Sequence, residues 1–311
     1  MKFIKAIVFI VMIFYLLYAC VIHEPTDLPD DLRIRYIAIM YKYGPFLETQ
    51  RIEALMEQDT YDDDVLAYYR YFKGLIELSD VKIVERAEIY DPRIKDYIKQ
   101  HLPSNHSDDI LFLDNFDESL PVTIKTQDSE KNEELARRIY DLLMRDWQKK
   151  GLFRVWYEEF YPDQLSEGQM RRYAELLAQV SCSYSSTIVE RVHATSSNFY
   201  RSSVDLSKIP PELLLAIAYK ESRLFPASFR AEISQDKIQA ISWGLCHILI
   251  DADTLDLTYE DIGNQKIDMR TFELINFYYF NNGLSEIDLI QLKGNLLVSL
   301  IQLALIYEIL E

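Results

Sequence analysis

Glycine is scarce in this chain, with 8 residues among 311, whereas an average protein contains about 7%. The glycines never form G-x-G or G-x-x-x-x-G-K, the patterns in which close backbone approach allows a loop to hold phosphate. This scarcity argues against dinucleotide-binding and P-loop sites. Few glycines also mean few tight hairpins, so the composition favours a mainly α-helical protein.

Metal-binding residues and positive charge are also in short supply. The 3 cysteines and 5 histidines form no C-x-x-C and no H-E-x-x-H, so we expect no metal site and no cofactor. Lys and Arg number 33 against 50 Asp and Glu, which gives a net charge of −17. Because nucleic-acid binding requires a basic face, we expect no nucleic acid as a partner.

The first twenty residues have the features of an export signal. Two lysines precede an apolar run over residues 6–18, which suits a secretory h-region of about 7–15 residues better than a spanning helix of roughly 20. Leu17-Tyr18-Ala19-Cys20 then resembles a bacterial lipobox. The resemblance implies removal of a signal peptide over residues 1–19, lipidation of Cys20 and a periplasm-facing, membrane-anchored lipoprotein of the cell envelope. The alternative is an uncleaved N-terminal anchor or an ordinary cleaved signal. We expect residues 20–31 to form a polar tether after the signal peptide.

The exported chain divides by its pattern into two regions. Residues 32–200 carry apolar side chains at three- and four-residue steps, as amphipathic helices do, with one convincing strand at 119–126. We expect an N-terminal helical domain of unknown role over 32–200 and a second domain over 201–311. Whether Cys182 and Cys246 pair in an oxidising compartment stays open.

The segment that follows Pro211 predicts a buried helix with a carboxylate in its last turn. Pro211 suits the first helical turn, and the middle of the segment is apolar on nearly every face. Glu221 falls in the last turn, before Pro226 ends the helix. Burial and the negative end of the helix dipole should both raise the pKa of Glu221, and a protonated carboxyl suits general-acid cleavage of a glycosidic bond. An isolated Glu-Ser pair is otherwise typical of an exposed glutamate.

Two elements together resemble the soluble lytic transglycosylases. IPPELLLAIAYKESRLFP carries Glu221-Ser222, and ISWGLCHIL carries Gly244-Leu245-Cys246-His247. In that family an apolar helix ends in Glu-Ser, and Gly-Leu-Met-Gln follows some twenty residues later. Here Gly244 follows Glu221 by 244 − 221 = 23 residues. The resemblance implies a lysozyme-like, α-rich transglycosylase domain over 201–311. It also implies that this domain cleaves the MurNAc–GlcNAc bond of peptidoglycan without water and releases 1,6-anhydro-muramyl products.

The resemblance assigns a role to each matching residue. Glu221 is expected to act first as general acid and then as general base. One carboxylate would then suffice where ordinary glycosidases use two. The expected substrate-binding residues are Ser222, Trp243, Gly244, Leu245 and His247. The indole of Trp243 would either stack on a sugar or pack in the core.

Several departures from the family's pattern leave the catalytic activity of this chain open. Cys246 and His247 replace Met-Gln, so a neutral amide becomes a titratable imidazole. The domain is short at its C-terminus compared with the family and lacks the Ala-Tyr-Asn-Ala-Gly element that supplies a tyrosine near the glutamate. Tyr278 or Tyr279 would have to substitute. Asn295 matches an asparagine that follows the second motif in the family.

Two other functions stay open. A hydrolytic muramidase of similar fold would need a second carboxylate to activate water, for which Glu232 and Asp236 are the candidates. A catalytically weakened scaffold lipoprotein would bind peptidoglycan while residues 32–200 recruit a cell-envelope protein. The expected partners in either case are glycan strands and, through the lipid anchor, the membrane.

Overall fold

A computed structural model of the chain describes residues 28–45, 47–82, 92–101, 110–112, 122–124, 129–161, 165–192, 203–234, 237–250 and 271–311. The signal peptide predicted over 1–19 and Cys20 lie outside these residues. The described part of the chain is mainly α-helical, which confirms the class predicted from composition.

Ten α-helices and six short strands make up the described residues. The helices are α1 (Asp30–Tyr43), α2 (Thr49–Gln58), α3 (Tyr61–Phe72), α4 (Pro92–His101), α5 (Ser129–Gln148), α6 (Leu152–Phe160), α7 (Glu167–Tyr184), α8 (Pro211–Ser222), α9 (Thr271–Phe280) and α10 (Leu292–Leu310). The strands are β1 (Val122–Ile124), β2 (Thr187–Glu190), β3 (Ser203–Asp205), β4 (Phe229–Ser234), β5 (Lys237–Trp243) and β6 (Ile248–Ile250). The strand predicted at 119–126 is therefore present as β1, whereas the sequence pattern does not predict β2.

The strands form two separate antiparallel sheets. In the first sheet β2 lies between β1 and β3, and in the second β5 lies between β4 and β6. Trp243 at the end of β5 pairs with Phe229 of β4 and with Ile248 of β6. This register places the turn at 244–247 beside the residues that connect α8 to β4.

Helix α10 runs through the core of the described fold. It contacts α1, α7, α8, α9 and β3. Among the described residues it is the one helix long and apolar enough to cross a membrane, but 72% of that apolar stretch is buried against the rest of the protein. Such burial is typical of the central helix of a globular fold.

Helices from both parts of the chain share one hydrophobic core. α3 packs along α8, and α1 packs on both α3 and α10. A single cluster of buried apolar residues extends from Ile34 in α1 to Leu310 in α10. The helices of residues 32–200 therefore form part of the surroundings of α8, the helix that carries Glu221.

Candidate functional site

Helix α8 carries Glu221 into the interior of the fold. Pro211 lies in the first turn, where its missing N–H costs no hydrogen bond. Every residue of Pro211–Ser222 is buried, which confirms the buried helix predicted from the sequence. Glu221 lies in the last turn with 7% of its surface exposed. A carboxyl group so far removed from water requires either a proton or a partner.

The helix ends in left-handed backbone rather than at Pro226. Arg223 and Leu224 have φ values of 55° and 66°, a conformation that costs roughly 1–2 kcal/mol for a residue with a Cβ. The Ser222 hydroxyl accepts a hydrogen bond from the N–H of Leu224 at 3.1 Å and donates to the carbonyl of Ala218 at 2.9 Å. Ser222, expected to bind substrate, is thus fully buried and closes the helix end.

Helix α3 supplies partners for the two cations that flank Glu221 in sequence. Lys220 is buried and forms an ion pair with Asp64. Arg223 donates from Nη1 to the hydroxyl of Tyr68 at 3.2 Å. Asp64 and Tyr68 are one helical turn apart, so a single face of α3 binds both cations.

Gly244 makes the turn between β5 and β6 possible. Its φ is +81°, and a Cβ at this position would lie 2.1 Å from Nδ2 of Asn295 and 2.2 Å from the carbonyl oxygen of Leu289. Only glycine fits both this backbone and this space. The N–H of Gly244 donates to the carbonyl of Ser228 at 2.8 Å, which ties the turn to the segment between α8 and β4.

Asn295 of α10 forms three hydrogen bonds, two to the same turn and its flanking residue and one to Leu289. Its Nδ2 donates to the carbonyls of Trp243 at 3.1 Å and Leu289 at 2.8 Å. Its Oδ1 accepts from the N–H of Cys246 at 2.9 Å. Because Asn295 is fully buried, breaking these bonds would leave polar groups unsatisfied away from water. The asparagine noted in the sequence therefore has a structural role.

His247 ends the turn and faces Glu221. Its Nδ1 lies 3.3 Å from Oε2 of Glu221, and 4% of its side chain is exposed. Its Nε2 lies 3.2 Å from Oγ of Ser228, whose hydroxyl also donates to the carbonyl of Gly244 at 3.1 Å. The Glu-Ser and Gly-Leu-Cys-His elements of the sequence thus meet in space through Glu221 and His247.

Tyr41 of α1 reaches the same turn from the N-terminal part of the chain. Its hydroxyl donates to the carbonyl of Cys246 at 2.8 Å and lies 3.5 Å from Oγ of Ser299. Burial raises the pKa of Tyr41 well above its ordinary value, with smaller contributions in the same direction from Cys246 and Glu221. A neutral phenol from α1 therefore belongs to the surroundings of Glu221.

The sequence analysis missed both Tyr41 and Ser228. Tyr41 lies in the region to which no chemistry was assigned, and neither residue belongs to a local motif. Contacts between residues so distant in the chain leave no signal in a single sequence.

Tyr279 is one of the two tyrosines considered for a place near the glutamate. It is buried, and burial raises its pKa, with Arg191 and Glu308 as its charged neighbours.

Trp243 and Leu245 are fully buried. The indole Nε1 of Trp243 donates to the carbonyl of Glu286 at 2.9 Å, and its ring meets Tyr97 edge-on at a centroid distance of 6.1 Å. No face of the indole is open to a sugar. The structure therefore corresponds to the core-packing interpretation of Trp243, and Leu245 packs in the core as well.

The remaining candidates from the sequence are its cysteines and the second carboxylate that a muramidase would need. No disulfide joins Cys182 to Cys246, and burial raises the pKa of the Cys246 thiol to about 12. Cys20, Asp236 and the side chain of Glu232 lie outside the described residues. Among the residues that are described, no group of three or more His, Cys, Asp or Glu side chains could hold a metal ion.

Comparison with known proteins found no match. No protein-family model, no curated protein and no solved structure matches the chain. The likeness to lytic transglycosylases therefore stays a resemblance carried by the residues around Glu221 and Gly244.

Proposed function

We propose that the chain is an exported, membrane-anchored lytic transglycosylase that cleaves the MurNAc–GlcNAc bond of peptidoglycan. The observation that carries the proposal is the approach of Glu221 to His247, 3.3 Å apart. It joins the two sequence elements that resemble the family at one buried carboxyl group. A lysozyme-like arrangement of residues 201–311 belongs to the same proposal and has the same support.

The reaction requires one group that first gives a proton and then takes one. Glu221 gives its proton to the glycosidic oxygen as the bond from that oxygen to C1 of MurNAc breaks. The resulting carboxylate takes the proton of the 6-hydroxyl, whose oxygen bonds to C1 and closes the 1,6-anhydro ring. Glu221 is protonated again at the end, and no water is consumed.

The surroundings of Glu221 support the acid role. Burial of a carboxyl group favours its neutral form, and Glu221 is 7% exposed. The nearest cations in sequence, Lys220 and Arg223, have partners on α3.

The N-terminal sequence supports a place in the cell envelope. A lipid on Cys20 would hold the enzyme at a membrane surface, and the tether over 20–31 would let it reach glycan strands. Residues 32–200 pack on α8 and α10, so their role includes support of the site. Any remaining surface of these helices is available to a cell-envelope protein.

The burial of Glu221 and His247 favours a second function, that of a scaffold protein. With Glu221 7% exposed and the His247 side chain 4% exposed, a glycan needs an opening movement to reach the acid. A catalytically weakened scaffold that binds peptidoglycan on its surface needs no such movement. A hydrolytic muramidase is the third possibility and differs from the first only in its product.

Mass spectrometry of muropeptides released from purified peptidoglycan tests these functions. The protein would be residues 20–311, compared with Glu221→Gln and with the control Glu212→Gln, which makes the same change in the first turn of α8. We expect anhydro-muropeptides from the native chain and from the control, and none from Glu221→Gln. Products that contain an added water would indicate a muramidase. A folded protein that sediments with peptidoglycan and releases nothing would indicate a scaffold.

A further inference from the structure

The contacts of Ser228 favour one of the two tautomers of His247. The Ser228 hydroxyl has one hydrogen, and the carbonyl of Gly244 can only accept. The two oxygens lie 3.1 Å apart, a distance at which they would repel each other without a hydrogen between them. The hydroxyl therefore offers only a lone pair to Nε2 of His247, 3.2 Å away. This arrangement favours the tautomer of His247 that is protonated on Nε2.

Nδ1 of His247 then faces Glu221 with the lone pair of a neutral imidazole. Nδ1 is buried without an aligned hydrogen bond among the described residues, and Oε2 of Glu221 lies 3.3 Å from it. Two lone pairs at this distance repel strongly in a poorly polarisable interior, whereas a proton between them makes the contact attractive. Contacts of this kind are often imperfectly aligned before substrate binds.

We propose that Glu221 and His247 share one proton, and that His247 is a positioning residue that holds this proton at the Glu221 carboxyl. The pair then has no net charge, whether it consists of a carboxylic acid and an imidazole or of a carboxylate and an imidazolium. The argument for proton sharing depends only on the contacts of His247 with Glu221 and Ser228. Its catalytic consequence rests on the transglycosylase function proposed above.

In that reaction the shared proton leaves through Glu221. Its transfer to the glycosidic oxygen leaves a carboxylate beside an imidazole protonated on Nε2, with one net negative charge. The lone pair of Nδ1 on His247 then faces the carboxylate and increases its affinity for a proton. The carboxylate takes the proton of the 6-hydroxyl, and the pair returns to its starting state with no other reactant.

Two titratable neighbours of the pair, Tyr41 and Cys246, stay uncharged near neutrality. On α1, burial raises the pKa of Tyr41 well above its ordinary value. In the turn, burial raises the pKa of the Cys246 thiol to about 12. Asn295 and Ser299 of α10, which form hydrogen bonds with the backbone N–H and the thiol of Cys246, do not titrate.

NMR spectroscopy of the chain labelled with ¹⁵N-histidine tests the sharing directly. The sequence has 5 histidines, so His247→Gln identifies the signals of His247. A proton shared with Oε2 of Glu221 should give Nδ1 of His247, near neutral pH, a ¹⁵N shift between those of a protonated and an unprotonated ring nitrogen, and Glu221→Gln should move this signal to that of an unprotonated nitrogen. Glu212→Gln should leave the signal unchanged. The same Nδ1 signal in the native chain and in Glu221→Gln would overturn the proposal.

A second variant tests the assignment of the nitrogens. Ser228→Ala removes the lone pair that accepts the Nε2 hydrogen, so at high pH we expect the ¹⁵N shifts of His247 to move towards the tautomer protonated on Nδ1. Unchanged shifts would refute the role of Ser228.

The activity measurement separates the two proposals. If anhydro-muropeptides form, His247→Gln should shift the pH profile of their release, and an unchanged profile would overturn the catalytic part of the inference. If no anhydro-muropeptide forms but Glu221→Gln moves the Nδ1 signal of His247, the proposed function fails and proton sharing stands. If products form and the Nδ1 signal does not move, the function stands and proton sharing fails.

Discussion

Replacement of Gly244 by alanine should destabilise the protein because two independent costs act at this residue. The backbone φ of +81° costs an alanine about 1–2 kcal/mol. The new Cβ would lie 2.1 Å from Nδ2 of Asn295 and 2.2 Å from the carbonyl oxygen of Leu289. Since neither distance is possible, the turn or the amide of Asn295 must move.

The size of the effect follows from the hydrogen bonds of Asn295. It makes three bonds, to Trp243, Leu289 and Cys246, and each is worth about 0.5–1.5 kcal/mol. Loss of two of them together with the backbone strain gives a decrease of about 2–5 kcal/mol in the free energy of unfolding. Native proteins typically have a free energy of unfolding of about 5–15 kcal/mol. The expected decrease is therefore a large part of the total, and for a marginally stable protein it approaches all of it.

Urea denaturation followed by far-UV circular dichroism measures this decrease as a shift of the midpoint at constant slope. The matched control is Gly168→Ala in the first turn of α7, where a Cβ would meet nothing within 4 Å. There we expect a gain of about 0.5–1 kcal/mol, because alanine is the better helix former. A loss below about 1 kcal/mol for Gly244→Ala would refute the close packing of Gly244 against Asn295.

Three further substitutions or reactions test other contacts of the site. Asp64→Asn should lower the free energy of unfolding by about 3–5 kcal/mol because it removes a carboxylate that forms an ion pair with the buried Lys220. Asp63→Asn, at an exposed neighbour, should change it by less than about 1 kcal/mol, and equal effects would contradict the role of α3. Tyr41→Phe should cost about 0.5–1.5 kcal/mol through the lost bond to the Cys246 carbonyl, and an unchanged stability would speak against that bond. The Cys246 thiol should react with a disulfide reagent at about pH 8 only after unfolding, since burial holds its pKa at about 12; rapid reaction of the native protein would show that the turn is open.

Much of the local structure of the site could be predicted because it depends on neighbours in the chain. A proline at 211 followed by an unbroken apolar stretch predicts the buried helix α8, and the structure confirms it. The expected end at Pro226 was wrong, because left-handed backbone at Arg223 and Leu224 ends the helix earlier. Periodicity reports which residues favour a helix, but it does not report how the last turn meets the next segment.

The sequence by itself determined the mainly helical class, the acid-bearing buried helix and the glycine at 244, because propensity, periodicity and backbone freedom act within a few residues. Only the tertiary structure decided that His247 faces Glu221, that Tyr41 of α1 reaches the same turn and that Trp243 is enclosed in the core. These contacts depend on which helix faces pack together. Hydrophobic burial is non-directional, so an apolar face does not by itself specify its partner. The neighbours of the Glu221 carboxyl are therefore a property of the packed fold.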